Sequence, residues 1–299
     1  MGYRRTLKKA VSCTGIGLHS GQPVTLTLRP AEPGEGVTFR RVDLGLDIPA
    51  TITHLARLDH ATTLARDGAA VDTVEHLLSA LYALGVDDVR IDLDGPEVPI
   101  LDGSAAPFVL LVQEAGTRLL PQRRLHLRVR EELAVERGAK WARITPADTL
   151  RVSYVIGFEH PLLRHQAISM RITPDTFVER IAPARTFGFM REVETLRQHG
   201  LALGGSLENA IVIGESEVLN PRLRFQDEFV RHKVLDAIGD LALTGYPVLG
   251  HVEVSRGGHA LHAALVQELM AHPECWDLDE NDARPRVVVP APFYAAAAS

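Results

Sequence analysis

Arg224–Tyr246, RFQDEFVRHKVLDAIGDLALTGY, decides how the rest of this chain is read. Phe225, Phe229, Val230, Val234, Leu235, Ala237, Ile238 and Leu241 recur at helical spacing, and Gly245 with Pro247 supplies a stop, so the stretch is predicted to be one amphipathic helix. His232, Asp236 and Asp240 fall on it at i, i+4 and i+8, which stacks them along one face. An imidazole and a carboxylate one turn apart can grip a single ion, and this donor pair suits zinc. The same spacing also describes a structural His–Asp pair on a half-buried helix. Partners from elsewhere in the chain must decide.

Working outward, the first third reads as short strands at Arg5–Cys13, Pro23–Arg29, Gly36–Val42 and Leu44–Ile52. Helices are expected at Asp72–Gly85 and Asp102–Gly116, the latter capped by Asp102 or Ser104, with a strand at Val89–Leu93 between them. Pro121–Arg124 (PQRR) is the expected boundary, dividing 1–122 from 125–299. Strands then resume at Leu125–Arg130, Glu132–Glu136, Lys140–Ile144, Leu150–Phe158 and Ala167–Ile172. Helices follow at Pro174–Ile181 and Arg185–His199, then the quoted helix, a strand at Val248–Val254 and a helix over Ala260–Met270. Strand groups followed by helices, twice over, predict an α+β protein of two layered units, although no sequence repeat relates them. Ala295–Ala298 is an alanine-rich tail.

At 299 residues the chain exceeds the usual size of one hydrophobic core, in line with two domains. A net charge of −6 and no long basic run argue against a nucleic-acid partner. Cys13 and Cys275 are the two cysteines, too few for a disulfide framework or a cysteine zinc site, which fits a reducing compartment. No signal peptide and no apolar run of membrane-spanning length is read, so a cytoplasmic location and a small-molecule substrate are expected.

A catalytic zinc takes about three protein ligands and keeps one position open for water. Glu75-His76 offers a carboxylate beside an imidazole: were His76 a ligand, Glu75 would lie close to the water and could act as general base. Against this, Asp72-Thr73-Val74-Glu75 resembles a capping box in which Glu75 serves only the helix start. His259 follows a glycine pair at a strand-to-helix turn and could be a general acid, held protonated by Asp240, or a helix-start residue without a partner. His262 reads as a surface histidine. In ARTFGF, Thr186 could donate to an oxyanion and Phe187 and Phe189 could line an apolar slot, or all could belong to a capped amphipathic helix. Lys233 could attract a phosphate or sugar oxygen or simply be solvated, and His19 in GIGLHSG could reach a site or cap a turn. GIGLHSG lacks GxGxxG spacing, and neither HExxH nor HxxEH occurs, so a dinucleotide fold and a thermolysin-like protease are disfavoured.

Together, TVEHLLSAL at Thr73–Leu81, PILDGSAAPF at Pro99–Phe108, ARTFGFMRE at Ala184–Glu192, GGSLENAIV at Gly204–Val212, LRFQDEFVRHKVLDAIGDLAL at Leu223–Leu243 and GGHALHAALV at Gly257–Val266 resemble one family. It is the bacterial UDP-3-O-acyl-N-acetylglucosamine deacetylases, zinc amidases of lipid A biosynthesis. The opening RTLKKAVSCTGIGLHSGQPVTLTLRPA is similar as well, so the likeness covers nearly the whole chain. The resemblance implies two domains of related topology, each a sheet layered against helices, with the active site at their interface. It implies His76, His232 and Asp236 as ligands of one zinc ion, Glu75 as base, His259 as acid with Asp240 as its charge partner, and Thr186 at the oxyanion. It also implies substrate contacts at Lys233, Phe187 and His19, and an apolar passage for the acyl chain around Phe187–Leu203. His60, in the less similar region Leu58–Ala70, receives no role. Iron(II) suits the same ligands, and a monomer is expected. The competing readings are an amidase of this fold acting on another acylated amino sugar, and a catalytically silent module that binds sugar nucleotide.

Overall fold

The computed structural model describes residues 2–280, so the alanine-rich tail at 295–298 lies outside the described residues. In chain order the first half comprises β1 (Tyr3–Leu7), β2 (Val11–Ile16), β3 (Pro23–Pro30), β4 (Val37–Arg41) and β5 (Leu46–Pro49). Three short strands follow, β6 (Leu55–Arg57), β7 (Thr63–Arg66) and β8 (Ala69–Val71), then α1 (Glu75–Leu84), β9 (Val89–Leu93), α2 (Ala106–Ala115) and β10 (Thr117–Arg123). The second half comprises β11 (His126–Val129), β12 (Leu133–Arg137), β13 (Lys140–Pro146), β14 (Arg151–Ile156), β15 (Gln166–Arg171), α3 (Pro174–Arg180), β16 (Phe187–Phe189), α4 (Met190–Gln198) and β17 (Ile211–Ile213). It closes with α5 (Glu228–Leu241), β18 (Val248–Ser255), α6 (His259–Ala271) and β19 (Trp276–Asp279).

The α+β expectation holds, and the topology is used twice. In the first half the strand order is β2-β3-β9-β4-β5, with β9 antiparallel to β3 and parallel to β4. In the second, β18 lies antiparallel to β13 and parallel to β14, giving β12-β13-β18-β14-β15. Even the flanking pairs match: β1 with β10, and β11 with β19, both antiparallel. Alternation builds the sheets. In β3, for instance, Val24, Leu26 and Leu28 face inward and the residues between them do not. Helix α2 packs on α1 and α6 on α5, while α1 and α5 face each other across the middle.

Several expectations need correction. The strand expected over Arg5–Cys13 is two strands in different sheets, broken at the exposed Lys8 and Lys9 where the chain crosses between them. Pro121–Arg123 belong to β10, paired with β1, so the PQRR stretch is not a loose linker. Ser104 and Asp102 bond each other at the approach to α2, but the residue at its start is Ala105, without a side-chain cap. The helix expected at Arg185–His199 begins only at Met190: Phe187–Phe189 form β16, pairing in parallel with β17, an interaction too distant in sequence for local periodicity to reveal.

Helix α5 is buried nearly all round, not half-buried, because β14 and β15 cover one side and α1 the other. The α1–α5 approach depends on Gly239, where a Cβ would overlap the backbone carbonyl oxygen of Glu75. Gly239→Ala must therefore push the helices apart. We expect a loss of about 1–3 kcal/mol, as for other overpacked sites, seen as a lowered Tm; an unchanged Tm would mean that the crossing is not tight.

Candidate metal centre

Helix α1 starts abruptly. Thr73 has φ +59°, a left-handed conformation, and Val74 occupies the cap position without a side-chain hydrogen bond. The capping-box alternative therefore fails: Asp72 instead accepts from Thr63 Oγ1 at 2.6 Å, and Glu75 Oε2 accepts from the Thr62 N–H at 3.1 Å. Thr73 Oγ1 donates to buried Glu97 at 2.9 Å, whose carboxylate also takes the backbone N–H groups of His19 and Ser20. Released from capping, Glu75 and His76 point into the contact with α5, both buried.

There His76 Nε2 lies 3.8 Å and His232 Nε2 3.2 Å from Asp236 Oδ1. The imidazole rings stand edge to face, their centroids 4.9 Å apart. His232 Nδ1 is 3.0 Å from the Ala184 carbonyl, which can only accept, so Nδ1 carries a hydrogen and Nε2 is the ring nitrogen turned toward Asp236. Burial, with His232 second, lowers the His76 pKa to about 3, so this ring is neutral at pH 7. Burial opposes ionising Asp236, yet His232 and Lys233 beside it hold its carboxyl well below the usual range. Among the described residues, Asp236 Oδ1 has no hydrogen-bond partner although it is fully buried. Two imidazole nitrogens and an orphaned carboxylate oxygen, within 4.8 Å of one another, form a ligand set that suits a divalent cation.

A second group adjoins it. Asp240 Oδ2 accepts from His259 Nδ1 at 2.9 Å and His262 Nδ1 at 2.8 Å, and Oδ1 accepts from Thr62 Oγ1 at 2.6 Å. These three residues, Asp240, His259 and His262, also lie close enough to hold an ion. Here, however, the carboxylate oxygens are already engaged by donors, so the group is a hydrogen-bonded hub. His262 is not a surface residue as expected: it is buried, and its Nε2 lies 2.8 Å from the Tyr154 hydroxyl. Burial lowers the pKa of His259, but the carboxylates of Asp240 and Glu75 outweigh it and raise the value to about 9. Burial raises Glu75 to about 7 against the opposing pull of His259. His259 Nε2 stands 3.7 Å from Glu75 Oε1 and 3.8 Å from Asp236 Oδ2.

Lys233, still partly exposed, contacts Asp236 Oδ2 at 2.7 Å and lies 5.6 Å from the centre of the Phe187 ring. Phe187 also meets His232, with ring centroids 6.3 Å apart. His19, Thr186 and Phe187 line a cavity of about 370 Å³ together with His60, Val193, Leu196 and Leu207. The His19 Nε2 atom is buried there without a partner among the described residues. Residues near the α1–α5 contact and residues of this cavity are thus joined through Phe187.

Sequence reading missed Thr62, Glu97 and the buried Arg185–Glu228 ion pair next to Thr186. Glu228 in the first turn of α5 takes the Arg185 N–H at 3.0 Å and Arg185 Nε at 2.9 Å, both partners buried. Its other oxygen accepts from the Arg224 N–H. A helix-start glutamate ordinarily reads as a solvated charge, so only the packed structure exposes this role.

The sequence profile of the family described as UDP-3-O-acyl N-acetylglycosamine deacetylase (LpxC) matches residues 4–271. The chain is 52% identical over 271 residues to the UDP-3-O-acyl-N-acetylglucosamine deacetylase of Anaeromyxobacter dehalogenans (strain 2CP-C), covering 90% of this chain and 88% of that protein. It is 52% identical over 278 residues to the protein of that name in Myxococcus xanthus (strain DK1622), covering 92% and 88%. To that of Syntrophotalea carbinolica (strain DSM 2380 / NBRC 103641 / GraBd1) it is 47% identical over 284 residues, covering 94% and 92%.

Titrating chelator-stripped protein with zinc in a calorimeter should show about one tight site per chain, weakened on the order of a hundredfold by Asp236→Asn, since even residues behind metal ligands cost 10–100-fold. Equal affinity in the variant would overturn the site.

Proposed function

The chain belongs to the UDP-3-O-acyl N-acetylglycosamine deacetylase family, and we propose that it hydrolyses the acetamide of UDP-3-O-acyl-N-acetylglucosamine at a zinc ion held by His76, His232 and Asp236. The products are acetate and the free 2-amino sugar nucleotide, in the lipid A route. The observation that supports the ligand set best is the orphaned Asp236 Oδ1 facing two imidazole Nε2 atoms. When bound, zinc would supply Lewis-acid charge at the carbonyl oxygen and lower the pKa of a water to about 7.

The protein groups then divide the proton work. Glu75 takes a proton as water attacks the acetamide carbon. The Thr186 hydroxyl donates to the oxyanion; one such donor is commonly worth on the order of a hundredfold or more in rate. His259, held by Asp240, protonates the departing nitrogen, without which an amine leaves poorly. Lys233 contacts the polar head of the substrate and Phe187 the sugar, while His19 and the apolar walls near Phe187–Leu203 receive the acyl chain. We read the chain as two domains, 1–122 and 125–299, with the site between them. This is supported by the repeated topology and by the short passage from the end of β10 at Arg123 to the start of β11 at His126. Among the described residues no helix is long and apolar enough to cross a membrane; a cytoplasmic, monomeric enzyme is our reading.

Acetate release from the acylated sugar nucleotide should vanish on chelation and return with about one equivalent of zinc; full activity without metal would sink the proposed ligand set. Glu75→Gln should lower kcat by about 10²–10⁴-fold. The pH profile should be bell-shaped. Activity rises as Glu75 loses its proton, from a value near 7, and falls as His259 loses its own near 9. A bound cation moves both limbs to lower pH without changing their order. His259→Gln should flatten the alkaline limb, and a limb that persists would exclude His259 as the acid.

A further inference from the structure

Thr62 sits between β6 and β7, in the segment joining β5 to α1, and is fully buried. All its polar groups are committed to the site. Its N–H donates to Glu75 Oε2 at 3.1 Å. Its carbonyl accepts from the Val74 N–H at 3.3 Å, at the start of α1. Its hydroxyl donates to Asp240 Oδ1 at 2.6 Å, and the hydroxyl oxygen lies 3.1 Å from His259 Nδ1. Asp240 and His259 are 178 and 197 residues away in sequence, on α5 and α6.

We propose that Thr62 is a positioning residue that fixes the proton acceptor Glu75 and the proton donor His259 relative to each other; the inference rests on the roles assigned above. A hydroxyl has one hydrogen, and a carboxylate oxygen can only accept, so that hydrogen goes to Asp240. The hydroxyl lone pairs are left facing His259 Nδ1. With Oδ2 already held by His259 and His262, the bond from Thr62 pins Oδ1 and stops the carboxylate from turning. The His259 ring must then keep its Nδ1 hydrogen toward Asp240 and present Nε2 to the site, 3.7 Å from Glu75 Oε1. The backbone N–H of the same residue holds the other Glu75 oxygen. If Thr62 merely filled space, valine would serve as well: it has the same shape and keeps the backbone bond, and it would spare the desolvation of a hydroxyl.

The test compares Thr62→Val and Thr62→Ser in the zinc-loaded enzyme, alone and with Asp240→Asn. Readouts are kcat and KM for acetate release, the Tm, and the downfield Nδ1–H resonance of His259 in protein carrying nitrogen-15 histidine. Thr62→Val should lower kcat about tenfold or more, part of the 10²–10⁴ available to proton transfer, with KM changed less than about twofold. It should also shift or broaden the His259 resonance. Thr62→Ser should recover most of the rate and the resonance. In the Asp240→Asn background, Thr62→Val should cost less than about twofold further, because residues acting through one another are non-additive. Should the valine variant not fold, Thr62→Ala takes its place in every comparison. A wild-type kcat in Thr62→Val, an equal loss in Thr62→Ser, or additive losses would each overturn the inference while leaving the proposed mechanism intact. A wild-type rate in Asp240→Asn would instead overturn the assigned acid pair, and this inference with it.

Discussion

Two buried carboxylates, Asp236 and Asp240, lie one turn apart in the middle of a helix covered on both sides, and each ion taken from water costs several kcal/mol unless it is paired. The surrounding chain answers that cost differently at the two positions. Asp240 receives Thr62, His259 and His262, so both of its oxygens are bonded, and its carboxyl drops to about 2: burial opposes ionisation, and the charge and hydrogen bonds of the histidines prevail. Asp236 receives Lys233 on one oxygen and keeps the other free, facing imidazole nitrogens. Saturated, the first carboxylate can only orient its neighbours. The second, left one donor short, has the chemistry that suits a cation.

That division needs α1 and α5 closer than ordinary side chains permit. Gly239 sits between the two aspartates at the point where the Glu75 backbone crosses, so the absent Cβ is what lets α1 deliver Glu75 and His76 onto the acidic face. The duplicated topology makes this meeting possible, since α1 and α5 occupy equivalent places ahead of the central strands β9 and β18. Each half also inserts a segment after its fourth sheet strand. The first insertion carries Thr62 to the hub, and the second carries Phe187 against His232. Regular elements supply the charged groups, and the irregular segments aim and line the site.

Local rules read well where the chemistry is local. The period of α5, the i,i+4 spacing of His232 and Asp236, and the adjacency of Glu75 and His76 are written in single stretches of chain. So is the glycine pair before His259. What escaped was set by partners far away. Whether Glu75 caps its helix or faces the site stayed open until the left-handed Thr73 and the Thr62 N–H excluded the cap. His262 looked solvated because nothing near it in sequence announces Asp240 or Tyr154. Phe187–Phe189 carry a helix-like pattern that a three-residue parallel pairing with β17 overrides. The short sheet β6–β8, which shelters Thr62, has too little periodicity to be seen at all.

The electrostatics of the pair formed by Glu75 and His259 follow from the same arrangement. Their charged ends lie 3.7 Å apart and buried, where opposite charges support each other more strongly than in water. Burial alone would leave both neutral, raising the carboxyl and lowering the imidazole. Asp240 breaks the tie. Hydrogen-bonded to the far nitrogen of His259, it keeps that ring protonated up to about 9, and the resulting imidazolium in turn opposes the upward drift of Glu75, which stops near 7. At neutral pH the proposed acid therefore keeps its proton, while the proposed base stands near its midpoint and is the first of the two to ionise as pH rises. Loss of the Asp240 charge would remove the first of the carboxylates that keep His259 protonated, so this fully bonded group, set behind the imidazole, supports the acid character of the ring that faces Glu75.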